Sequence, residues 1–378
     1  MALTPRRALE KVHPAVHGGP DYAELSKGGI DPGSLIDFSV GLNPLGVPPG
    51  LAEKLAKVSF YTYPDSEATE FREAVARKLG LEPGNIIAGN GSSELIWLCA
   101  LAYFGPRDTV VIAGPTFGEY ERACLMMGSR TVSVNAEPPD FAVPVGSIAR
   151  QARRTSAKAI FLCNPNNPTG SYLSRSQVEK VLDALQDTLL VLDEAYVAFT
   201  DSGWASEPLI GRGNVVILRS MTKDYGIAGL RLGYAIAAEP VISNLRKVCP
   251  PWNVNSLAQK AGVIILEEDS HVRNGCRTIR ESRDFLFEEL AKLGLHPAPT
   301  GANFFMVKVK DGASLRHALL RRGILVRDCA SFGLPEYIRL AARTRPECEK
   351  LIAALKEVTG RIQNSEDFVG WVQRRRTK

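Results

Sequence analysis

Short, nearly unbroken apolar runs separated by helical periodicity dominate the first two thirds of the chain. Thr109–Ala113 (TVVIA), Ala159–Leu162 (AIFL), Leu189–Leu192 (LLVL), Val215–Leu218 (VVIL) and Leu232–Ala237 (LGYAIA) show no alternation with polar residues. Continuous apolarity marks strands buried on both faces, so these five are predicted to form a parallel sheet. Between them, Ser174–Leu185 places Val178, Val181, Leu182 and Leu185 on one helical face. Earlier, Ser66–Leu79 carries the stripe Ala68, Phe71, Val75 and Leu79, a Glu73–Arg77 pair one turn apart, and Gly80 as its stop. Strands alternating with helices imply right-handed βαβ units and an α/β layered domain.

Past residue 250 the pattern changes. Helical periodicity runs from Ser256 to Leu293. A strand-like GANFFMVKV follows, then a helix near Leu315–Arg321, a strand at ILVRD and a last helix over Pro346–Val358. This reads as a separate α+β unit. The predicted organisation is an N-terminal arm (1–48), a large α/β domain (49–250), an interdomain helix with a small C-terminal domain (251–360) and a basic tail (361–378).

With 378 residues, 45% of them hydrophobic, the chain can bury a sizeable core and is not generally disordered. Lys and Arg number 46 against 41 acidic residues, a formal charge of +5. Much of that excess is Arg374, Arg375, Arg376 and Lys378, read as a solvated tail. No basic stripe with interleaved aromatics accompanies it, so no nucleic-acid partner is expected. Seven scattered cysteines without a CxxC give neither a disulfide framework nor a zinc site, and no metal is expected. No apolar run approaches ~18 residues and the N-terminus lacks a signal-peptide core, so a cytoplasmic protein without membrane attachment is expected.

Four segments that follow apolar runs carry the chemistry, at the loops where open α/β sheets place their ligands. Ala88–Ile96 (AGNGSSELI) runs a Gly/Ser turn into a helix, an arrangement whose free N–H groups and hydroxyls cradle anions. Cys163–Gly170 (CNPNNPTG) aims asparagine amides from a proline-fixed turn. In Leu189–Tyr196 (LLVLDEAY), Asp193 ends an apolar strand and needs a cationic partner if desolvated. In Arg219–Ala235 (RSMTKDYGIAGLRLGYA), Lys223 is flanked by hydroxyls after a buried strand, where an amine of lowered pKa can form a Schiff base, and Arg231, eight positions on, can grip a phosphate. Each alone has a bland reading as a turn, cap, ion pair or solvated lysine; their order along one chain is the specific signal.

In that order the segments resemble the fold-type I pyridoxal-phosphate enzymes, specifically aminotransferase class I/II, from about His17 to Val358. The resemblance implies a large domain with a mostly parallel sheet between helices, a smaller C-terminal α+β domain, and pyridoxal 5′-phosphate as cofactor. Lys223 in SMTK is similar to the lysine that binds the cofactor covalently, and Asp193 to the partner of its pyridinium nitrogen. Tyr196 and Asn167 resemble the pair bonded to the ring hydroxyl oxygen, and Phe117 in GPTFGEY the ring stacked on the pyridine. Ser92, Ser93, Ser220 and Arg231 resemble the phosphate cup. Tyr63 in YPD is similar to the tyrosine that reaches a neighbouring subunit's cofactor, which implies a homodimer.

Two branches of the family handle small phosphorylated amino acids or amines. His17-Gly18-Gly19, the DFS segment Asp37–Ser39, Asn43-Pro44-Leu45-Gly46, Thr222-Lys223 followed by Tyr225, and Arg343 in AARTRPE are similar to the threonine-phosphate decarboxylases of cobamide synthesis. Pro20 and Gly41 depart from that pattern, and DEAY, AGLR and GLPEYIR look more like histidinol-phosphate aminotransferases. The expectation taken from this balance is decarboxylation of L-threonine O-3-phosphate to aminopropanol phosphate. The alternative is amino-group exchange between histidinol phosphate and 2-oxoglutarate; a non-catalytic pyridoxal-phosphate regulator is more remote. The resemblance makes His17, Gly18, Asn43, Arg327, Arg339 and Arg343 candidates for holding substrate, with the arginines for carboxylate and phosphate unassigned between them.

Overall fold

The computed structural model describes residues 3–363, so Arg374, Arg375, Arg376 and Lys378 lie outside the described residues. Two compact units are distinguished. The first comprises Leu42–Arg277 with Ala298–Phe305 and the N-terminal residues to Val16; the second comprises His17–Gly41, Thr278–Pro297 and the chain from Met306.

The first strand, β1 (Ile36–Asp37), belongs to the second unit. The next seven build one sheet in the first unit: β2 (Ile86–Asn90), β3 (Thr109–Gly114), β4 (Arg130–Asn135), β5 (Ala159–Cys163), β6 (Leu189–Asp193), β7 (Val215–Ser220) and β8 (Leu232–Ala237), in the order β2-β8-β7-β6-β5-β3-β4. All five apolar runs are strands. Their alternate residues enter two separate cores: Ile160, Leu190, Leu192 and Ile217 pack on one face, and Phe161, Val191, Val216 and Leu218 on the other. Burial on both faces is why these segments read as continuous rather than alternating.

Four differences from the sequence reading have physical causes. β8 runs antiparallel to both β7 and β2, where a parallel strand was expected. Its two faces are buried either way, so apolarity does not encode direction. The link over residues 221–231, with a helix of only four residues, is too short for a parallel crossover of about a dozen residues or more. β2 and β4 were not anticipated: the apolar run of β2 is cut to Ile86, Ile87 and Ala88 by Gly89 and the exposed Asn90, and β4 is a half-exposed edge strand paired with β3 alone. The helical run from Ser256 is broken into Ser256–Ile265 and Asp269–Lys292. Lys78 Nζ marks the break, donating to the Leu266 carbonyl (2.6 Å) and pairing with the Asp269 carboxylate. The ILVRD segment is two short strands in different sheets.

β9 (Phe304–Lys308), whose residues from Met306 belong to the second unit, β10 (Ile324–Leu325), β11 (Arg327–Asp328) and β12 (Tyr337–Ala341) form small sheets: β10 pairs with β1, and β12 lies between β11 and β9. The last helix, Arg345–Gln363, follows. Among the described residues, no helix is long and apolar enough to cross a membrane.

Gly262 in the helix Ser256–Ile265 shows how tightly the sheet's cover is packed. A Cβ there would lie 2.5 Å from the buried Phe71 ring and 2.7 Å from Leu232. Gly262→Ala is expected to cost a net ~1 kcal/mol or more, since overpacking outweighs the helix propensity gained. The check is the urea-unfolding midpoint followed by circular dichroism; an unchanged midpoint would mean that Phe71 gives way freely.

Candidate active site

The carboxyl ends of β5, β6 and β7 converge, and a cavity there is lined by Ser92, Ser93, Phe117, Tyr120, Cys163, Asn167, Asp193, Ala195, Tyr196 and Lys223. Most of the expected cofactor residues are thus brought together. Asp193 ends β6 and is only 3% exposed. Its carboxylate accepts from the Tyr120 hydroxyl (2.7 Å) and the Ala195 N–H (3.0 Å). Burial pushes its pKa up, while the Tyr120 and Ala195 hydrogen bonds and the charge of Lys223 pull it back. Both hydrogen-bond donors are neutral, so a cationic ligand atom is what this carboxylate fits.

Lys223 lies in the short helix Met221–Asp224 directly after β7. Nζ bonds Thr222 Oγ1 (3.1 Å) and Ser220 Oγ (3.3 Å) and lies 5.5 Å from the centre of the Tyr196 ring. Burial lowers its pKa; Asp193 opposes the shift and Arg231 adds to it. An amine so placed is nucleophilic nearer neutrality than a solvated lysine. The ends of β6 and β7 are tied beside it: Arg219 Nε meets the buried Glu194 carboxylate at 2.6 Å, and Arg219 also pairs with Glu207.

The anion cradle forms where the helix Gly91–Tyr103 begins. Gly91 has φ +75°, and a Cβ on it would lie 2.5 Å from Arg231 Nη2. Gly233 opposite leaves no room for a Cβ either, which would sit 2.8 Å from the Ser92 nitrogen. Arg231, at φ +59°, directly precedes β8. Because β8 is reversed, its start rather than its end lies beside the ends of β2 and β7, with Leu232 opposite Asn90 and Gly233 opposite Ser220. Free helix N–H groups, serine hydroxyls and a guanidinium suit a phosphate. The donor set, with a buried carboxylate, an amine and an aromatic ring at Phe117, fits pyridoxal 5′-phosphate.

Within CNPNNPTG the asparagines divide. Asn164 pins Leu173 through both its amide atoms and Asn166 bonds Pro115, Thr116 and Thr169, leaving Asn167 at the cavity. Tyr63 is not among the lining residues; it is 78% exposed and stacks on Trp252 at 4.5 Å. Two contributors were missed from sequence. Tyr120 follows Phe117 by one helical turn in GPTFGEY and looks like a core aromatic, as its stacking on Phe161 also makes it. Thr222, read from sequence as a flanking hydroxyl and as a signal of one branch, was not anticipated as a hydrogen-bond partner of the Lys223 amine.

The candidate substrate residues fall in both units. Arg327 and Arg339 are opposite each other on β11 and β12, both buried. Burial and then Arg339 lower the Arg327 pKa, and an anion would relieve both effects. Arg327 bonds Ser331 and Arg339 donates to the Ser39 carbonyl. Arg343 is held by Glu347 (2.9 and 2.7 Å) and by the Asp37 carbonyl (3.1 Å). His17 is exposed. Gly18 packs so that a Cβ would meet the Ser39 carbonyl oxygen at 2.6 Å, and the Gly19 N–H donates to Ser39 Oγ. Asn43, in the first unit, is buried, with its hydrogen bonds directed at the Lys223 turn.

Residues 34–355 match the family profile "Aminotransferase class I and II". The chain belongs to this family. Among curated relatives, the histidinol-phosphate aminotransferase of Moorella thermoacetica is 36% identical over 363 residues, 93% of this chain and 92% of its own. A crystal structure of histidinol-phosphate aminotransferase from Sinorhizobium meliloti in complex with pyridoxal-5'-phosphate is 26% identical with a TM-score of 0.85, covering 94% of this chain and 98% of its own. L-threonine-O-3-phosphate decarboxylase from Porphyromonas gingivalis is 28% identical with a TM-score of 0.76, covering 85% and 99%.

These findings overturn the expectation of a threonine-phosphate decarboxylase of cobamide synthesis. Other curated relatives match at about 35% identity over most of the chain and carry the aminotransferase name. The signature that suggested decarboxylation has a packing explanation: Gly18 and Gly19 fit against Ser39, whose N–H and hydroxyl bond Asp37. HGG and DFS are therefore two sides of one close backbone contact, which says nothing about the bond broken in a substrate.

Tyr120→Phe removes one of two hydrogen bonds from a buried carboxylate. At roughly 1.5–3 kcal/mol for a bond to a charged group, cofactor affinity is expected to fall about 10- to 100-fold. Absorbance titration of the cofactor-free protein checks this; unchanged affinity would mean that Asp193 does not depend on Tyr120. Asp224 gives a second test. Burial raises its carboxyl from the ordinary 3.8 to about 7. The folded chain therefore holds this proton more tightly than the unfolded chain, so the group's stabilising contribution is full below about pH 4 and is lost as pH rises to about 7. The melting temperature of cofactor-free Asp224→Asn should pull ahead of the wild type progressively over that window and keep a constant lead above it. A gap independent of pH would place the carboxyl in water.

Proposed function

We propose that the protein is a pyridoxal-phosphate aminotransferase that exchanges the amino group of histidinol phosphate, or a closely similar phosphorylated amine, with 2-oxoglutarate. The observation that carries the substrate choice is the name shared by the curated relatives that match over nearly the whole chain. When bound, the cofactor supplies an electron sink for the bond broken at the substrate's α-carbon. Asp193, buried with Tyr120 and Ala195 as its hydrogen-bond donors, would face the ring nitrogen and favour its protonated form. Tyr196 and Asn167 would orient the ring, and Ser92, Ser93, Ser220 and Arg231 would hold its phosphate. Lys223 would anchor the cofactor covalently, and its Nζ, when free, would take and return a proton at the substrate's α-carbon. Arg327 and Arg339 are assigned to substrate anions. A homodimer is part of this reading, supported by the exposed aromatic run Phe60, Tyr61 and Tyr63.

Cofactor-loaded protein given histidinol phosphate alone is expected to lose its visible absorbance in a single turnover; adding 2-oxoglutarate should give glutamate catalytically. Absence of glutamate, with carbon dioxide released over many turnovers from threonine phosphate, would overturn the reading. Borohydride reduction and mass spectrometry should find the cofactor on Lys223, and Lys223→Ala should lose it. Cofactor fixed on another lysine would refute the site.

A further inference from the structure

We propose that Asn43 is a positioning residue for Lys223, fixing the backbone of the turn that carries the amine. The helix Met221–Asp224 is a single turn, and the carbonyls of so short a helix lack a full set of intrahelical partners. Asn43 supplies donors to two of them. Its backbone N–H donates to the Lys223 carbonyl and its side-chain Nδ2 to the Asp224 carbonyl, each at 2.8 Å. Its Oδ1 accepts from the Leu45 N–H at 3.0 Å, so the amide is held at both ends, and the residue is only 3% exposed.

The surroundings are built to this segment. A Cβ on Gly226, at φ +66°, would lie 2.4 Å from the Gly46 carbonyl oxygen, so residues 43–46 and the Lys223 turn touch backbone to backbone. The same Gly46 carbonyl is bonded by His271 Nε2 at 2.9 Å. A Cβ on Gly275 would lie 2.4 Å from Asn43 Oδ1 and 2.5 Å from Nδ2. Asn43–Gly46 is thus wedged between the helix starting at Asp269 and the turn bearing the amine. An asparagine held this way places Lys223 among its other neighbours: the Ser220 and Thr222 hydroxyls and the charges of Asp193, Arg231 and Asp224. Its partners are main-chain atoms of that turn and of Leu45, which distinguishes it from a residue that grips substrate.

The inference rests on Lys223 as the covalent anchor, and its test needs no particular substrate. Cofactor-loaded wild type, Asn43→Ala, Gly275→Ala and the double variant are compared by the pH midpoint of the bound cofactor's visible absorbance change, without substrate. Both single variants should move the midpoint upward, because a loosened turn admits water, which favours the protonated, charged form of the lysine nitrogen joined to the cofactor. The double variant should match Asn43→Ala, since the added methyl enters the space the amide vacated. With whichever amino donor the wild type turns over, kcat should fall ~10- to 100-fold at nearly unchanged KM, as for a misplaced reacting group. Unmoved midpoints, with a KM increase confined to phosphorylated donors and absent for their unphosphorylated counterparts, would overturn the inference and make Asn43 a substrate contact. Wild type with no cofactor on Lys223 would instead sink the functional reading itself. Gly275→Ala keeps the test valid should Asn43→Ala fail to fold.

Discussion

A carboxylate that ends a strand buried on both faces has lost its water, and it stays charged only if the chain supplies compensation from several directions. Asp193 is in that position, and much of the site answers it. Tyr120 gives a hydroxyl and Ala195 an N–H, while Lys223 contributes charge from the next strand's end. Lys223 has the converse difficulty, a buried amine that tends toward neutrality, and Asp193 is the main influence restoring its charge. The neighbouring Glu194–Arg219 pair repeats the arrangement, with a buried acid at 2.6 Å from a guanidinium whose residue immediately precedes Ser220. Breaking such a buried pair typically costs ~3–5 kcal/mol, so the ends of β6 and β7 are not free to drift apart.

How far the sequence speaks depends on whether the determining contact is local. Strands buried on both faces announce themselves as apolar runs, and all five were visible. Direction is a property of the connection, and the shortness of residues 221–231 was the available clue to β8. The break after Ile265 depends on Lys78, a residue distant in the chain that reaches the exposed carbonyl of Leu266. In the site, Lys223, Asp193, Asn167 and Tyr196 carry local motif signals and line one cavity. Tyr120 does not, because a tyrosine one turn beyond Phe117 has the spacing of ordinary core. The partners of Asn43 are equally silent in sequence, being backbone atoms of a remote turn.

The choice between reactions shows a different limit. Glycines in the HGG segment attract attention as a motif, yet a missing side chain at Gly18 is required by the Ser39 carbonyl oxygen. A packing requirement can be shared across branches that perform different chemistry, so its presence weighs little on mechanism. Arg343 is similar: its fork is occupied by Glu347 and the Asp37 carbonyl. Residues whose hydrogen-bonding capacity is satisfied within the protein are weak witnesses to what a substrate looks like.

The reversed β8 makes the stretch from Lys223 to Arg231 a molecular ruler. It leaves the end of one strand and returns to the start of its neighbour at the same rim of the sheet, so its length sets the separation between the Lys223 amine and the Arg231 guanidinium. Inserted or deleted residues there could not be absorbed as they are in a surface loop. Variation in loop length through descent should therefore collect elsewhere around the sheet, leaving this span at constant length even where its side chains diverge.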